Sequence, residues 1–553
     1  TSPAGAVDAN GSLRLNYLRG DTSREVRNCS ACTAPTFRNR SISVLGDIIN
    51  SAPVYVKSGG RYVRDGAEAA AYSTYRTTRA AMPAMVYVGA NDGMLHAFNA
   101  DTGDEAFAYV PSMVADRLSK LTDPAYSHQY TVDGSPVAGD VYYGSAWHTV
   151  LVGGLAAGAK GLYGLDISNT AWFNEANASK VVRWEISGSD ADVGYIFQPP
   201  VLAKMKNGRW MALTGNGYNS TNGVAVLLLV DVETGAITRI STKVGAATAA
   251  GSNGLSGVVA VSTANNGVAD VVYGGDQAGN LWKFDLSSSD SSEWKVAFGS
   301  SSNPKPLFTT ASGQTITSRP DVTPHPSGGY LVTVGTGRYL DLTDTTAGSA
   351  QALYGIWDQG AEVKMSDLVV QSVLGTVSGT GQPTYRITSY VVGTPATVYT
   401  GDNSITRASY LSGKRGWVLN LPTSGERIVT QAAVRYGKVI VSSMIPSSLP
   451  CSAGGSGWIM EVDAVTGNRP DTPSFDTNAD SLVDATDLLT YQTGTAYPSG
   501  VSVGGIPTAP TFLRAKDRTL DDKLVNLSTG VLTKFREAGN RQSSGRAGWE
   551  QIR

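Results

Sequence analysis

One pattern of apolar and polar positions recurs along the chain. Two short apolar stretches are separated by a turn rich in Gly, Asn or Asp, and the second stretch carries an aromatic residue and ends at Asp, often before Thr-Gly. Met85–Gly103 is the clearest copy, and Asp270–Leu286 is the second. Because Gly and Asn tolerate the positive φ of tight turns, each copy predicts a β-hairpin. One sheet of this kind cannot bury both faces alone, so the copies are expected to stack.

Shorter copies extend the pattern over most of the chain. They are Leu151–Asp166, Val224–Gly235, Leu331–Leu340 with Leu353–Asp358, Gly416–Leu421 and Gly457–Gly467. The spacing of roughly 45–70 residues exceeds the length of a WD40 blade, which indicates decorated blades. Because closing such sheets into a ring removes exposed edges, we predict an all-β protein with a β-propeller fold. An open array of β-sandwiches is the alternative.

Helical periodicity is rare in this sequence. Val110–Leu121 carries apolar residues at helical spacing and predicts a helical insertion between blades. Asp484–Thr490 is also expected to be helical, whereas Leu520–Val525 is ambiguous between helix and strand.

Composition supports a β fold and excludes several classes of protein. The chain has 553 residues, more than one hydrophobic core accommodates. Only 16% of residues are charged and the formal net charge is −2, which argues against a nucleic-acid-binding surface. No apolar run is long enough for a transmembrane helix. The sequence begins at Thr1 without Met or a signal peptide, so we expect it to be a fragment whose targeting signal lies elsewhere.

The three cysteines exclude a disulfide-dense scaffold. Cys29 and Cys32 are compatible with a short-range disulfide or with half of a metal knuckle, and a zinc ribbon is not expected because no second Cys-x-x-Cys occurs.

The strongest chemical signal is the acidic stretch 476–487. Numbered from its first Asp, side-chain oxygens fall at positions 1, 3, 5, 9 and 12, and position 7 offers a backbone carbonyl, which is the EF-hand spacing. We predict a calcium site formed by Asp476, Asn478, Asp480, Leu482, Asp484 and Asp487. Ser481 departs from the pattern, because Gly usually permits the sharp bend there. The alternative is a solvated acidic turn that caps a following helix, with Asp484 as N-cap.

A second candidate site is the tripeptide Arg19-Gly20-Asp21, which can present a cation and a carboxylate to a metal-bearing integrin receptor. An ordinary turn is the alternative. A catalytic constellation is not found, because none of the common nucleophile, phosphate-loop or metalloprotease motifs occurs and His96 lies within an apolar hairpin.

Several segments together resemble a known family. They are Leu15–Asp21, Phe37–Arg40, Leu45–Tyr55, Tyr87–Phe98, Gly275–Leu286, Ile316–Pro320, Val334–Tyr339, Pro450–Trp458 and Gly545–Trp549. They are similar to the C-terminal domain of the PilC/PilY class, which are type IV pilus tip-associated biogenesis factors and adhesins. The resemblance implies a modified seven-bladed propeller with loop and short helical insertions. It also implies that the protein supports pilus extension against retraction and attaches to surfaces or host cells. The implied partners are pilins and minor pilins. The implied location is the cell surface or pilus tip, associated with the outer membrane and reached through the periplasm.

The family's calcium loop corresponds to Ser262–Asp270 in this chain. Of its acidic ligands only Asp270 is retained, because Ser262 and Ala264 stand where the family has acidic residues. Poor calcium binding is therefore expected at this position.

The expected organisation is a lead-in segment at 1–45, propeller blades at 46–470, a calcium-binding insertion at 471–495 and a C-terminal segment at 496–553 that closes the propeller. The expected function is non-enzymatic, with calcium as cofactor. One alternative is a quinoprotein dehydrogenase, because the repeat at 88–103 is similar to the blade repeat of pyrroloquinoline quinone enzymes. The other is a carbohydrate-binding or carbohydrate-hydrolysing propeller.

Overall fold

A computed structural model of the chain describes residues 9–29, 32–33, 35–57, 66–248, 251–346, 348–378, 383–447, 454–514 and 520–538. The expected hairpin at the clearest repeat is present. β2 (Met85–Ala90) and β3 (Met94–Asn99) pair antiparallel from Met85 opposite Asn99 to Ala90 opposite Met94. Gly93 makes the turn at φ +97°, a conformation that favours glycine. The repeated sequence pattern therefore encodes the central hairpin of a blade.

Six sheets of four or more strands follow one another along the chain. The first contains β1 (Val54–Val56), β2, β3 and β4 (Glu105–Tyr109), and the second β5 (Val137–Tyr143), β6 (Ala146–Gly154), β7 (Gly161–Asp166) and β8 (Val182–Ser187). The third contains β9 (Val201–Met205), β10 (Trp210–Gly215), β11 (Val224–Asp231) and β12 (Ile237–Gly245), and the fourth β13 (Leu255–Val261), β15 (Val271–Asp276), β16 (Asn280–Asp285) and β17 (Lys295–Val296). β14 (Val268–Ala269) joins β9, and β20 (Phe308–Thr309) joins β16.

The fifth and sixth sheets are larger and include strands that return from insertions. The fifth contains β21 (Asp321–Pro324), β22 (Tyr330–Gly335), β23 (Ala352–Asp358), β24 (Val369–Gln371) and β27 (Gly416–Asn420). The sixth contains β25 (Val373–Ser378), β26 (Thr384–Thr388), β28 (Ala433–Arg435), β29 (Lys438–Pro446), β30 (Gly455–Asp463) and β33 (Gly500–Val503). Two small hairpins pair β18 (Phe298–Gly299) with β19 (Pro304–Lys305), and β31 (Leu489–Tyr491) with β32 (Gly494–Ala496).

A three-stranded C-terminal sheet completes the arrangement, with β34 (Thr511–Arg514), β35 (Leu520–Asn526) and β36 (Leu532–Ala538). The protein is thus an all-β, modified seven-bladed propeller with about 12% helix, as predicted. Among the described strands, none is shared between the first sheet and the C-terminal sheet, so each is built from its own continuous stretch of chain.

Helices are short and lie outside the sheets. They are α1 (Gly11–Leu18), α2 (Gly66–Ala80), α3 (Ala115–Leu118), α4 (Ala178–Val181) and α5 (Arg407–Gly413), with 3₁₀ turns at Val26–Asn28, Ser112–Val114, Ser119–Thr122, Thr170–Trp172, Glu175–Asn177, Ser291–Glu293, Leu342–Thr345 and Met365–Asp367. The helical insertion predicted at Val110–Leu121 is present as α3 and its two flanking 3₁₀ turns.

The predicted helix at Asp484–Thr490 is wrong. These residues form turns that lead into β31, because side chains compete with the backbone of a helix. Asp484 Oδ1 accepts the N–H of Thr486 at 2.8 Å, and Asp487 Oδ2 accepts the N–H of Asp484 at 2.8 Å. The ambiguous stretch Leu520–Val525 lies in a strand.

Apolar clusters lie between successive sheets and hold the blades together. Between the fifth and sixth sheets, the fully buried indole of Trp417 donates its N–H to the carbonyl of Ala464 at 2.9 Å. The ring lies over Gly467, which ends the Asp-x-x-Thr-Gly turn at φ +68°. Asp463 Oδ1 accepts both the N–H and the hydroxyl of Thr466, at 2.8 and 2.6 Å. The repeated motif is therefore a turn that supports an aromatic residue of the neighbouring blade.

The stretch that precedes β1 is attached to the first two sheets by hydrogen bonds to Asp92 and Asp133. The N–H of Gly46 donates to Asp92 Oδ2 at 2.7 Å, and the side-chain amide of Asn50 donates to Asp133 Oδ2 at 2.7 Å. These bonds fix the direction in which the chain enters the propeller.

Candidate functional site

The acidic loop 476–487 lies in the insertion between β30 and β33 of the sixth blade. The residues before it are packed: Phe475 is buried, and the hydroxyl of Tyr385 on β26 donates to the carbonyl of Asp476 at 3.4 Å. On the other side, the guanidinium of Arg536 on β36 donates to the carbonyl of Ser481. The loop therefore contacts both the sixth blade and the C-terminal sheet.

Hydrogen bonds within the loop orient its oxygens. Asp476 Oδ2 accepts the N–H of Ser481 at 2.8 Å, Asn478 Oδ1 accepts that of Asp480 at 3.0 Å, and Asp480 Oδ1 accepts that of Leu482 at 2.7 Å. Each of positions 1, 3 and 5 thus folds back onto a following amide. These bonds fix the directions of the three side chains.

The position that lacks the usual Gly adopts the bend nevertheless. Ser481 has φ +69°, in the left-handed region that favours glycine. Val483, two residues later, is buried and anchors the loop. The side chain of Leu482 is half-exposed, which suits a residue whose ligand would be its backbone carbonyl. The backbone therefore bends at Ser481 although no glycine is present there.

Two observations bear on whether a cation fits this loop. Asp476 Oδ1 is buried and has no hydrogen-bond partner, and a hard cation is a suitable ligand for such an oxygen. In the described part of the chain, however, no three His, Cys, Asp or Glu side chains lie close enough together to hold a metal ion. Asp487 is fully buried and its two oxygens accept the N–H groups of Thr477 and Asp484, at 2.6 and 2.8 Å. Each carboxylate oxygen keeps a second lone pair for a metal.

The carboxylate of Asp484 also accepts a backbone N–H, as the other carboxylates of the loop do. The backbone N–H of Thr486 holds the pKa of Asp484 below its usual value. Asp484 is therefore ionised at neutral pH and available as a ligand.

The stretch that corresponds to the family's calcium loop is closed by its own hydrogen bonds. Asp270 accepts the N–H of Thr263 at 2.9 Å and the Thr263 hydroxyl at 2.5 Å, and Ser262 Oγ donates to Asn266 Oδ1 at 3.1 Å. The hydroxyl and the backbone N–H of Thr263 thus both donate to Asp270, the one remaining carboxylate. This arrangement supports a self-sufficient turn.

Arg19-Gly20-Asp21 follows the end of α1 at the surface. Arg19 and Asp21 are exposed, and Gly20 has φ +101°. Asp21 Oδ1 accepts the N–H of Ser23 at 2.8 Å, and this bond holds the pKa of Asp21 below its usual value. Arg19 forms an exposed ion pair at 2.8 Å with Glu175, in the loop between β7 and β8.

Buried polar residues support this tripeptide from below. The guanidinium of Arg40 donates to the carbonyls of Tyr17 and Asp21, at 2.7 and 2.8 Å, and to Glu25 Oε1 at 2.8 Å. Although burial raises the pKa of Glu25, Arg40 and Arg27 outweigh burial and lower that pKa overall. The turn is therefore presented on a fixed base.

Cys29 and Cys32 are joined by a disulfide, with their Cα atoms 5.2 Å apart. Of the two alternatives for this pair, the disulfide is the one observed. Cys29 is buried whereas Cys32 is exposed.

Three of the four histidines, His96, His128 and His148, are paired with carboxylates. His96 lies between Asp92 and Glu105, with contacts of 3.1 and 2.5 Å. His148 Nδ1 lies 2.8 Å from Asp166, but the Ser168 hydroxyl donates to Asp166 as well and not to the imidazole. This differs from a nucleophile held by its general base.

Arg19–Asp21 and the acidic loop occupy different parts of the fold, and no hydrogen bond or ion pair among the described residues joins them. The propeller therefore carries two separate loops of interest.

Comparison with known proteins identifies the family. The chain is 35% identical over 542 residues to the type IV pilus biogenesis factor PilY1 of Pseudomonas aeruginosa strain PAK, covering 90% of this chain and 44% of the relative. It is 34% identical over 607 residues to a PilY1 homolog of Xylella fastidiosa, covering 100% and 39%. The crystal structure of the P. aeruginosa PilY1 C-terminal domain superposes with a TM-score of 0.68 at 31% identity, covering 87% of this chain and 99% of that one. The PilY1 β-propeller domain profile matches residues 45–379. The chain belongs to the PilY1 family.

Membership of the PilY1 family confirms the resemblance read from the sequence and associates the chain with type IV pilus biogenesis. The chain spans less than half the length of the curated PilY1 relatives. Among the described residues of this PilY1-family propeller, no helix is long and apolar enough to cross a membrane.

Sequence reasoning did not single out Arg40, Glu25 and Arg536, the residues that anchor the two loops. Arg40 and Glu25 lie 15 positions apart and meet only through the fold. Arg40 stands within Phe37–Arg40, so the family motif was the one signal that marked it.

Proposed function

We propose that this chain is the non-enzymatic propeller of a type IV pilus biogenesis factor that promotes pilus extension against retraction and attaches the pilus to surfaces or host cells. Membership of the PilY1 family carries this proposal, since the relatives are named type IV pilus biogenesis factors. The proposed location is the pilus tip at the cell surface, associated with the outer membrane and reached through the periplasm. Pilins and minor pilins are the proposed partners.

Complementation tests the pilus function. A strain of the source organism that lacks the full-length protein would be given back either the intact gene or one without the propeller. Restoration of surface pili only by the intact gene supports the proposal. Equal piliation with both would contradict it, because the propeller would then be dispensable.

Attachment is proposed to use Arg19–Asp21. The exposed Arg19 and Asp21 side chains, separated by the left-handed Gly20, present opposite charges at the end of a helix. A carboxylate held ionised is suited to complete the coordination of a receptor-bound divalent cation. Asp21→Asn is the informative variant, because an amide oxygen still accepts the N–H of Ser23 but carries no charge. Loss of binding to purified integrin in Asp21→Asn, with unchanged melting temperature, is the expected result.

The acidic loop is proposed to hold calcium. Side-chain oxygens of Asp476, Asn478, Asp480, Asp484 and Asp487 and the carbonyl of Leu482 would be the ligands. The buried, unpartnered Asp476 Oδ1 and the bend at Ser481 support the fit. Bound calcium would offset two of the four negative charges of the loop and stiffen its contacts with Tyr385 and Arg536. Regulation of retraction by calcium would then use this loop in place of Ser262–Asp270.

Isothermal titration of calcium into the wild-type propeller and Asp480→Ala tests this site. Asp290→Ala is a matched control, because Asp290 caps an exposed turn by the same kind of bond, from Ser292 N–H at 2.9 Å. Binding that is lost in Asp480→Ala and retained in Asp290→Ala is expected. A dye-linked alcohol oxidation assay with added quinone examines the quinoprotein alternative, and turnover there would contradict a non-enzymatic role.

A further inference from the structure

The joint between the sixth blade and the C-terminal sheet is built differently from the other blade joints. Each of the five joints among the first six blades contains a cluster of at least 16 buried apolar residues. In the described part of the joint between the sixth blade and the C-terminal sheet, the corresponding cluster has six: Tyr385, Ile459, Phe475, Val501, Val503 and Val525. Since apolar burial scales with the area removed from water, the described residues of this joint make the weakest hydrophobic contribution of these six joints.

Charged residues occupy the remaining space. Three lie on or next to strands of the sixth blade and three on the C-terminal sheet, and their formal charges cancel: Arg435, Lys438, Glu461, Asp521, Lys523 and Glu537. All are buried except Arg435 and Lys438, which are partly buried. We call these six residues the charged joint.

Ion pairs of the charged joint cross from one sheet to the other. Lys523 contacts Glu461 directly, and both side chains are 0% exposed. Arg435 contacts Asp521, which also accepts the hydroxyl of Tyr436 at 2.7 Å. Within the sixth blade, Lys438 Nζ lies 3.7 Å from Glu461 Oε2.

The charges are balanced but incompletely paired. Glu537 is 1% exposed and neither of its carboxylate oxygens has a hydrogen-bond partner, and Glu461 Oε2 also lacks one. Burial lowers the pKa of Lys438 to about 8 and that of Lys523 to about 7, while the charge of Glu537 acts to raise both. Desolvation thus opposes docking, and the docked state depends on the balance of positive and negative charges within the charged joint.

Strand pairing does not reinforce this joint. In the described strands, β34, β35 and β36 form a ladder only with one another, and no strand of the sixth blade pairs with them. The linker after β33 makes the backbone contacts that are present: Thr508 N–H donates to the carbonyl of Asn526 and Ser528 N–H to that of Ile506, both at 2.9 Å. Ser442 Oγ also donates to the carbonyl of Thr508 at 2.7 Å. Between the strands of the two sheets themselves, the contacts are made by side chains.

We infer that the C-terminal sheet is an electrostatically held blade, which opens from and closes onto the sixth blade while the five apolar joints stay packed. Regions with few apolar contacts open locally at lower free energy than the rest of a protein. Opening exposes a charge-lined surface on β29 and β30. The inference does not require calcium in the acidic loop, although opening would break the bond from Arg536 to the carbonyl of Ser481.

Native-state hydrogen exchange of the wild-type propeller gives the direct test. Amides of residues 520–538 are expected to exchange at least about tenfold faster than those of β6 and β11, through an opening less sensitive to denaturant than global unfolding. Exchange of residues 520–538 only through global unfolding would overturn the inference.

Variants of the charged joint supply the second test. Lys523→Met leaves Glu461 and Glu537 with excess negative charge, so exchange of residues 520–538 is expected to accelerate further. Lys523→Met combined with Glu461→Met restores the charge balance and fills the space with apolar groups, so protection is expected to return.

Lys534→Met is the matched control. Lys534 also lies on the C-terminal sheet, but its ion pair with Asp522 is accessible to solvent. The Lys534 side chain is 49% exposed and that of Asp522 is 27% exposed. No change is expected in this control. If Lys523→Met accelerated hydrogen exchange equally in all blades, or if the double variant failed to restore protection, the C-terminal sheet would not be an electrostatically held blade.

Discussion

The guanidinium carbon of Arg40 lies 3.6 Å from the centre of the Tyr17 ring, and the same guanidinium bonds to the carbonyls of Tyr17 and Asp21. One buried side chain therefore fixes both the end of α1 and the loop that carries Asp21. The presentation of Arg19–Asp21 depends on a residue that does not belong to the tripeptide.

Arg40→Met is expected to loosen the lead-in segment. Glu25 would lose its buried partner, at a cost of about 3–5 kcal/mol to docking of the segment. Hydrogen exchange at residues 14–28 measures this loss. Arg27→Met is the control, because Arg27 also pairs with Glu25 but its side chain is 41% exposed, so a change within about 1 kcal/mol is expected. Equal effects of the two variants would show that Arg40 has no special role.

Ser481→Gly is expected to stabilise the acidic loop. A non-glycine residue at φ +69° is strained by about 1 kcal/mol, and glycine relieves that strain. Ser481→Val is expected to do the reverse, because a β-branched residue tolerates this conformation poorly. Chemical denaturation with and without calcium measures both effects. A lower stability of Ser481→Gly than of the wild type would indicate that the hydroxyl, and not the bend, is needed here.

Gly467→Ala is expected to destabilise the joint between the fifth and sixth blades. A Cβ at this position would lie 2.6 Å from the Trp417 ring, and the residue has φ +68°. Displacement of a fully buried indole makes a loss of about 2–4 kcal/mol the expected result. Gly437→Ala is a matched control, because Gly437 has φ +77° but nothing within 4 Å of the added carbon, so only the conformational cost of about 1 kcal/mol applies.

His96 is expected to stabilise the first blade at low pH. Burial lowers its pKa, but hydrogen bonds and charges of Asp92 and Glu105 outweigh burial and raise that pKa above its usual value. A raised histidine pKa gives stability that is complete below the unfolded value of about 6.5 and is lost as the pH rises through the folded value. The difference in melting temperature between wild type and His96→Gln should therefore shrink from about pH 6 to about pH 9.

His325 should show the opposite trend. Burial lowers its pKa to about 4, and its ring stacks on Trp357 at 3.8 Å. The folded state resists protonation of His325, so this site costs stability as the pH falls below about 6.5. The difference in melting temperature between wild type and His325→Gln should therefore become smaller as the pH falls. Parallel pH profiles for the two variants would contradict both assignments.

Sequence reasoning worked where local pattern and tertiary contact agree. The hairpin at Met85–Gly103 and the Asp-x-x-Thr-Gly turn are encoded by neighbouring residues, so the propeller could be predicted. β35 was ambiguous because its inward positions, Asp521, Lys523 and Val525, alternate correctly but two of them are charged. A buried charge is recognised only once its partner on another strand is known. The helix at Asp484–Thr490 failed because side-chain oxygens took up the amides that a helix requires.

The candidate loops show the same division. Spacing alone located the oxygens of the acidic loop and the surface tripeptide, because both are short continuous segments. The residues that hold them in place, Arg40 and Arg536, come from 19 and 55 positions away from the groups they bond, and no local pattern marks them.

The first blade and the C-terminal sheet are each made from one continuous stretch of chain, and in the described strands neither lends a strand to the other. A ring assembled in this way has a seam. Tension that pulled the two ends of the chain apart would act on this seam first, and the hairpins inside each blade would stay intact. A propeller under such a load would thus separate along one line between neighbouring blades, and re-form there when the load is released.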